Sequence, residues 1–244
     1  MKAVVLAGGK GTRLAPYTRI IPKPMMPIGD KAILEIMLHQ MRHAGIDEVI
    51  LTVGHLAGLM RAFFQDGAHL GVHICYSFED HPLGTAGPLS LIDGLNDTFM
   101  VCNGDVLTTL NLRELIDFHK QNQGVATIAS HLRQVHIDLG VIQVNGDHSI
   151  IGYQEKPTID YLVSMGIYIF EPMVLQYIPK EKYLDFPDLI KKLVADNKRV
   201  VAYPFDGYWE DLGRADDYEQ ANIDFEKMRS QFLPQEDQWT GACP

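Results

Sequence analysis

The chain has 244 residues, 46% hydrophobic and 21% charged, with a formal net charge of −10. That size and balance fit one α/β domain, or one with a modest lobe, and leave ample material for a core. The acidic balance excludes a surface built for nucleic acid or for an anionic membrane. There is no signal peptide and no apolar run long enough to span a bilayer, so a cytoplasmic setting is expected. Cys75, Cys102 and Cys243 are an odd, widely spaced set without metal spacing. Cys75 and Cys102 lie in apolar runs and read as reduced, buried thiols. The ten histidines show no ligand spacing either and read as surface or packing residues.

The first element is Lys2 to Ala7, an apolar run rich in β-branched residues that predicts a buried strand. It breaks into Gly8, Gly9 and Gly11, which frees a turn whose backbone N–H groups can approach a ligand closely. Between residue 1 and Asp30 the chain carries Lys2, Lys10, Arg13, Arg19 and Lys23 and no acid. Donors, a flexible turn and unopposed positive charge at a strand end describe a polyphosphate cradle; the plainer alternative is a solvated glycine-rich loop with incidental charges. No register of Gly8 to Arg13 supplies Gly-x4-Gly-Lys-Ser/Thr, and Leu14 stands where a dinucleotide fingerprint needs glycine or alanine.

Next, residues 32–41 are apolar at helical spacing, with Gly45 to close the helix. A strand over 48–53, a helix over 56–64 and a strand over 72–76 continue a rhythm that implies right-handed crossovers and a parallel sheet. Ligand then belongs at the carboxyl ends of the strands, where the glycine loop lies. A loop from Glu79 to Pro88 leads to a helix predicted over 89–95. The strand 98–103 follows and ends in Asn103-Gly104-Asp105. Asp105 suits a divalent cation beside a triphosphate and equally suits capping of the next turn.

Asn111-Leu-Arg-Glu114 is a capping-box signature for a helix to about Lys120. The rhythm then changes to antiparallel strands over 125–131, 139–144 and 149–154, with Asn145-Gly146 as hairpin turn, and a strand over 165–170. The helix opened by Asp185-Phe-Pro-Asp188 places Leu189, Ile190, Leu193 and Val194 on its buried side. A strand over 199–203, a loop over 207–213 and a helix from Arg214 to about Arg229 complete the pattern. The stretch from Gln231 is polar, contains proline and reads as a loose C-terminal tail.

Five segments, in order, resemble the sugar-1-phosphate nucleotidyltransferase family. They are Gly8-Gly-Lys-Gly-Thr-Arg-Leu14 through Pro22-Lys-Pro24, Pro82-Leu-Gly-Thr-Ala-Gly87, Asn103-Gly-Asp105, Gly152-Tyr-Gln-Glu-Lys-Pro157 and Gly207-Tyr-Trp-Glu-Asp-Leu-Gly213. The resemblance implies a three-layer α/β/α Rossmann-like fold of the GT-A type, with a mostly parallel sheet and a small mixed sugar-binding lobe. It implies one catalytic domain over 1–230, with a nucleotide half to about 123 and a sugar-phosphate half from 124. The chain leaves no room for the C-terminal β-helix of many family members. The implied reaction joins an NTP and a sugar-1-phosphate to give an NDP-sugar and pyrophosphate, with Mg²⁺ as cofactor.

By the same resemblance Arg13, Lys23 and Asp105 are the catalytic residues, and Asp105 and Asp211 hold the metal. Leu6, Ala7, Gly8, Gly9, Lys10, Gly11, Thr12 and Arg13, with Glu79, Pro82, Gly84 and Thr85, contact the nucleotide. Lys10 is as well read as a solvated charge. Asn103, Gly104, Gly140, Glu155, Lys156 and Gly166 face the sugar phosphate, and Glu210, beside Asp211, points away as a structural residue. A carboxylate at Glu79 only accepts hydrogen bonds, which suits the N–H donors of guanine, though uracil and thymine also offer one. The wording around Pro82 and Asn103 looks most like mannose- and heptose-1-phosphate guanylyltransferases. The same reaction with UTP, dTTP or CTP and glucose-1-phosphate is the alternative; from another class, a non-catalytic NDP-sugar-binding regulator is the rival. Leu139 and Val163-Ser-Met-Gly166 depart from the usual wording beside the sugar site. Homo-oligomerisation is allowed by the sequence.

Overall fold

The computed structural model describes residues 1–233. In chain order the elements are β1 (Lys2–Leu6), the short pair β2 (Pro27–Ile28) and β3 (Lys31–Ala32), α1 (Ile33–His43), β4 (Glu48–Val53), α2 (Ala57–Phe64) and β5 (His73–Phe78). Then come β6 (Phe99–Asn103), β7 (Val106–Thr108), α3 (Leu112–Asn122), β8 (Ala126–His136), β9 (Val141–Val144), β10 (Ile150–Gln154) and β11 (Thr158–Phe170). The last four are α4 (Phe186–Ala195), β12 (Val200–Phe205), β13 (Trp209–Asp211) and α5 (Ala215–Phe232).

Among these residues seven strands form one sheet in the order β12-β8-β11-β6-β1-β4-β5. The pairs β1/β4, β1/β6, β4/β5 and β8/β12 are parallel; β11 is antiparallel to both neighbours. Alternation along β1 divides the core. Ala3 and Val5 pack with Leu34, Met37, Phe64 and Leu115 of α1, α2 and α3, whereas Val4 packs with Phe186, Leu189 and Leu193 of α4. Helices therefore cover both faces, which is the three-layer architecture the sequence implied.

A third cluster seats α5 beside the glycine loop: Phe225 and Phe232 are fully buried with Leu14, Ile33, Leu107 and Leu212. Truncating either phenylalanine to alanine is worth about 3–5 kcal/mol at a site of this kind. The helix was expected to stop near Arg229, with a loose tail from Gln231; its helical backbone is interrupted at Met228 (φ −120°, ψ 22°), close to that expectation, but a further turn continues to Phe232, and Leu233 is also buried. The ring of Phe232 packs edge-on to Tyr208 and against Phe225. The remainder of the expected tail, with Cys243, lies outside the described residues.

Other expectations are corrected. Residues 89–95 hold no α-helix, only a 3-10 turn at Gly87–Leu91: Pro88 suits the start of that turn, but Ile92 is already extended and Gly94 takes φ +79°. Cys75 is exposed on the open face of β5 while Ile74 beside it is buried on the other; Cys102 is buried on central β6, and burial pushes its thiol pKa up. Val194 is exposed while Leu189 and Leu193 are buried. The loop at 207–213 contains β13, which pairs with β7. The turn after Asn145 is longer than a two-residue Asn-Gly hairpin: Asn145 Oδ1 accepts from the N–H groups of Asp147 and Ser149, and the positive φ falls on His148. Asn111 caps the helix, its Oδ1 accepting from the N–H groups of Arg113 and Glu114, while Glu114 Oε1 accepts from the Asn111 side-chain amide and not from its backbone N–H as a full capping box would have it. His119 is a packing residue, buried between Thr127 and Glu171. Among the described residues no helix is long and apolar enough to cross a membrane.

Candidate active site

Strand β1 delivers the glycine loop to the carboxyl edge of the sheet. Its neighbours stay close: Ala7 N–H donates to Thr52 O, and Gly104 N–H to Leu6 O, both at 2.9 Å. A Cβ on Gly104 would be crowded, 3.1 Å from Leu6 O and 3.2 Å from Pro24 Cγ. Gly11 takes φ +58° and accepts from Thr18 Oγ1 at 2.7 Å, which folds the loop back before the 3-10 turn Thr12–Leu14. A second 3-10 turn, Lys23–Met25, carries Lys23 under the loop with its side chain almost fully buried.

Four charged side chains then converge. Lys23 Nζ lies 2.5 Å from Asp105 Oδ2 and 3.3 Å from Asp211 Oδ1, and Arg13 Nη2 lies 4.0 Å from Asp211 Oδ2. The convergence follows from pairing. Asp105 turns the chain from β6 into β7, and the β7/β13 register sets Asp211 opposite Val106, the residue after Asp105. Burying the Lys23 ammonium is tolerable because two carboxylates face it. Arg13 stays mostly exposed, a guanidinium fork over the cleft mouth. Among the described residues no group of three His, Cys, Asp or Glu gathers that could hold a metal.

The cleft has a volume of about 250 Å³. Of the expected nucleotide residues, Leu6, Ala7, Gly9, Gly11, Thr12 and Arg13 line it, together with Lys23 and Asp105. Leu14, Pro24 and Gly213 line it as well and were not foreseen. The signal for Gly213 was its place two residues after Asp211: a Cβ there would stand 3.1 Å from Arg13 Nη1. Lys10 is exposed beside the cleft.

Glu79 reaches Gly8 from the end of β5; a Cβ on Gly8 would stand 2.8 Å from Glu79 Oε1. Burial raises the pKa of Glu79 above the ordinary value, opposed by the Leu83 N–H that donates to its Oε2. Pro82 is exposed. Gly84, at φ +80°, and Thr85 turn toward α4: the Thr85 N–H and hydroxyl donate to Asp185 Oδ1, and Phe186 N–H donates to Thr85 Oγ1. That hydroxyl serves the start of α4.

The expected sugar-phosphate residues fall into two groups. Asn103, Gly104 and Gly166 adjoin Asp105: Gly166 takes φ +74°, and a Cβ there would lie 2.5 Å from Asn103 Nδ2. Gly140, Glu155 and Lys156 lie on the β9–β10 lobe, outside the cleft lining, where Glu155 Oε2 accepts from Tyr153 OH at 3.0 Å and faces Gly140. Glu210 points away from the carboxylate pair to Arg133, 3.3 Å distant, whose guanidinium also lies over the Trp209 ring.

Comparison with known proteins shows what the whole chain resembles. A UTP–glucose-1-phosphate uridylyltransferase of Synechocystis is 39% identical over 91% of this chain, and a mannose-1-phosphate guanylyltransferase of Mycobacterium tuberculosis 36% over 91%. The chain spans 62% and 64% of those two relatives' lengths. A Bacillus anthracis structure, provisionally assigned as a glucose-1-phosphate thymidylyltransferase, superposes with a TM-score of 0.76 at 23% identity, covering 95% of this chain and 98% of that one. The nucleotidyl transferase family model matches residues 2–228, from the first strand into the last helix, and on that match the chain belongs to the nucleotidyl transferase family.

Proposed function

We propose that this chain transfers a nucleotidyl group from an NTP to a sugar-1-phosphate, releasing pyrophosphate. The observation that carries the reading is the meeting of Arg13, Lys23, Asp105 and Asp211 at one end of a glycine-rich cleft. An oxygen of the sugar phosphate bonds to the α-phosphorus, the bond from that phosphorus to the β-bridging oxygen breaks, and pyrophosphate leaves with the electron pair. Two anions must approach, so charge neutralisation and in-line holding dominate the barrier. Lys23 reduces the repulsion at the α-phosphate. Arg13 binds two oxygens of the departing pyrophosphate with its fork.

The donor set fits Mg²⁺: Asp105 and Asp211 offer hard carboxylate oxygens within reach of one ammonium, and magnesium commonly takes one or two carboxylates. Bound there, it supplies positive charge against the reacting phosphates. Glu155 and Lys156 hold the sugar hydroxyl and phosphate, with Asn103, Gly104, Gly140 and Gly166 as the remaining wall. Glu79, Pro82, Gly84 and Thr85 form the base-facing rim.

We take GTP and mannose-1-phosphate, or a related heptose phosphate, as the substrates. The support is Glu79 as an acceptor beside Gly8, and a run of relatives at 31–36% identity named mannose-1-phosphate guanylyltransferases. The Synechocystis relative favours a second reading, UTP with glucose-1-phosphate. A matrix of NTPs against sugar-1-phosphates, scored for pyrophosphate, separates them. Highest kcat/KM for GTP with mannose-1-phosphate supports the first, for UTP with glucose-1-phosphate the second, and no pyrophosphate in any cell refutes the reaction itself.

A further inference from the structure

The glycine loop carries donors but has few bonds of its own to hold it. Among the described residues the backbone N–H groups of Gly8, Gly9, Lys10 and Gly11 find no backbone carbonyl. Donors left free serve a bound anion best when the loop is already ordered, because ordering it on binding costs affinity. At the far end of the loop the Gly11 carbonyl is fixed twice, by the Leu14 N–H at 3.0 Å and by the Thr18 hydroxyl at 2.7 Å. Thr18 is 3% exposed and stands outside the cleft lining, whereas Gly11, Thr12 and Arg13 belong to it. The threonine therefore grips the loop from behind. Its methyl presses on Gly11 as well: a Cβ there would stand 2.9 Å from Thr18 Cγ2 and 3.3 Å from Lys23 Cβ. Gly11 thus rests on both the threonine and the stem of the buried lysine.

We propose that Thr18 is a positioning residue for the polyphosphate, acting through the Gly11–Thr12 peptide; this rests on the nucleotidyl-transfer reading of the cleft. The Gly11 carbonyl and the Thr12 N–H belong to one planar trans peptide and point in opposite directions. Holding that carbonyl on the buried side turns the Thr12 N–H toward the open cleft, beside the Arg13 fork. The donor then meets the phosphates that leave as pyrophosphate without any rotation of the peptide. A β-branched side chain suits the task, because its χ1 is confined and the hydroxyl stays aimed. The effect of Thr18 falls on the polyphosphate and spares the sugar phosphate, whose assigned wall is at Asn103 and Gly166.

Two measurements on the full chain test this. One is calorimetry with magnesium pyrophosphate, the product whichever base is used; the other is steady-state kinetics with the NTP and sugar-1-phosphate that the substrate matrix selects. T18V keeps the shape of the side chain and removes the hydroxyl, and Gly11 O retains Leu14 as a partner. It is expected to weaken pyrophosphate binding and raise KM for the NTP about 3–10-fold, the worth of one hydrogen bond, with KM for the sugar phosphate within about twofold of wild type. T18S restores the hydroxyl without the methyl and should bind pyrophosphate like wild type. T18A, a second variant without the hydroxyl, should show the same loss as T18V and replaces it if T18V fails to fold. Wild-type pyrophosphate affinity in folded T18V or T18A, an equal loss in T18S, or a parallel rise in KM for the sugar phosphate overturns the proposal and leaves the reaction standing. A wild-type chain that neither binds nor releases pyrophosphate overturns the reaction and the proposal together.

Discussion

Lys23 and Asp105 are 82 residues apart in the chain and 2.5 Å apart in the fold, the ammonium almost wholly shielded from water. A buried cation so placed is held by its partners and cannot move far without them. Replacing it with methionine keeps the packing of the stem but removes the charge that two phosphates need. K23M is expected to lower kcat about 10²–10³-fold, the usual cost of one transition-state donor, with its near-ultraviolet circular dichroism unchanged. Near-wild-type pyrophosphate release would remove Lys23 from the mechanism.

Asp211 reaches the same point from the other end of the chain, through the β7/β13 register. Because Asp105 remains, D211N should still fold and retain some turnover. The apparent Mg²⁺ requirement should rise roughly 10–100-fold, at least the effect of losing a supporting partner at a metal site. Titrating Mg²⁺ at saturating NTP measures it; an unaltered midpoint contradicts the ligand role.

Glu79 joins a stability cost to a binding role. Its pKa is raised by burial, so ionising it in the folded state costs stability, and that cost grows as pH climbs through the raised value. E79Q removes the cost, so its Tm should equal or exceed wild type at neutral pH. The amide cannot replace an acceptor-only group against paired donors, so KM for GTP should rise. In the wild type, GTP affinity should fall on acidification at a pH above the ordinary glutamate range. Calorimetry and an NTP KM series against pH read both.

Gly166 tests the backbone. At φ +74° any Cβ is unfavourable, and here it also meets Asn103 Nδ2. G166A is expected to cost about 1–2 kcal/mol from the left-handed conformation alone, seen as a lower urea midpoint. Displacement of Asn103 should raise KM for the sugar phosphate more than for the NTP.

Asp30 and Arg229 form a two-pronged ion pair, with Nη1–Oδ1 2.6 Å and Nη2–Oδ2 3.1 Å, fastening the end of α5 to the β2–β3 turn. Hydrogen bonding from Arg229 holds the Asp30 carboxyl below its ordinary range. The pair therefore contributes stability above the unfolded aspartate pKa and loses it as pH falls through the lowered folded value. D30N should lower Tm at pH 7 and converge with wild type in strong acid, as thermal melts against pH will show.

The local signals were legible because each depends on near neighbours. The strand that breaks into Gly8, the cations before Asp30, the helix cap at Asn111 and the Pro187 helix start are short-range patterns, and the fold follows them. Where the sequence misled, distant contacts decided. A buried Phe232 ring belongs to a further turn beyond the kink at Met228, in a stretch that looks polar. Cys75 falls on the open face of β5, and pairing with β7 turns an apparent loop into the strand that carries Asp211.

The sequence by itself determined the charged groups and the glycine turn that brings them to the end of β1, since composition and local backbone freedom need no partner. Only the tertiary structure decided that Lys23, Asp105 and Asp211 meet within hydrogen-bonding reach, and that Thr85 serves α4. Register and packing between elements 82 to 188 residues apart fix those distances, and no local pattern encodes them.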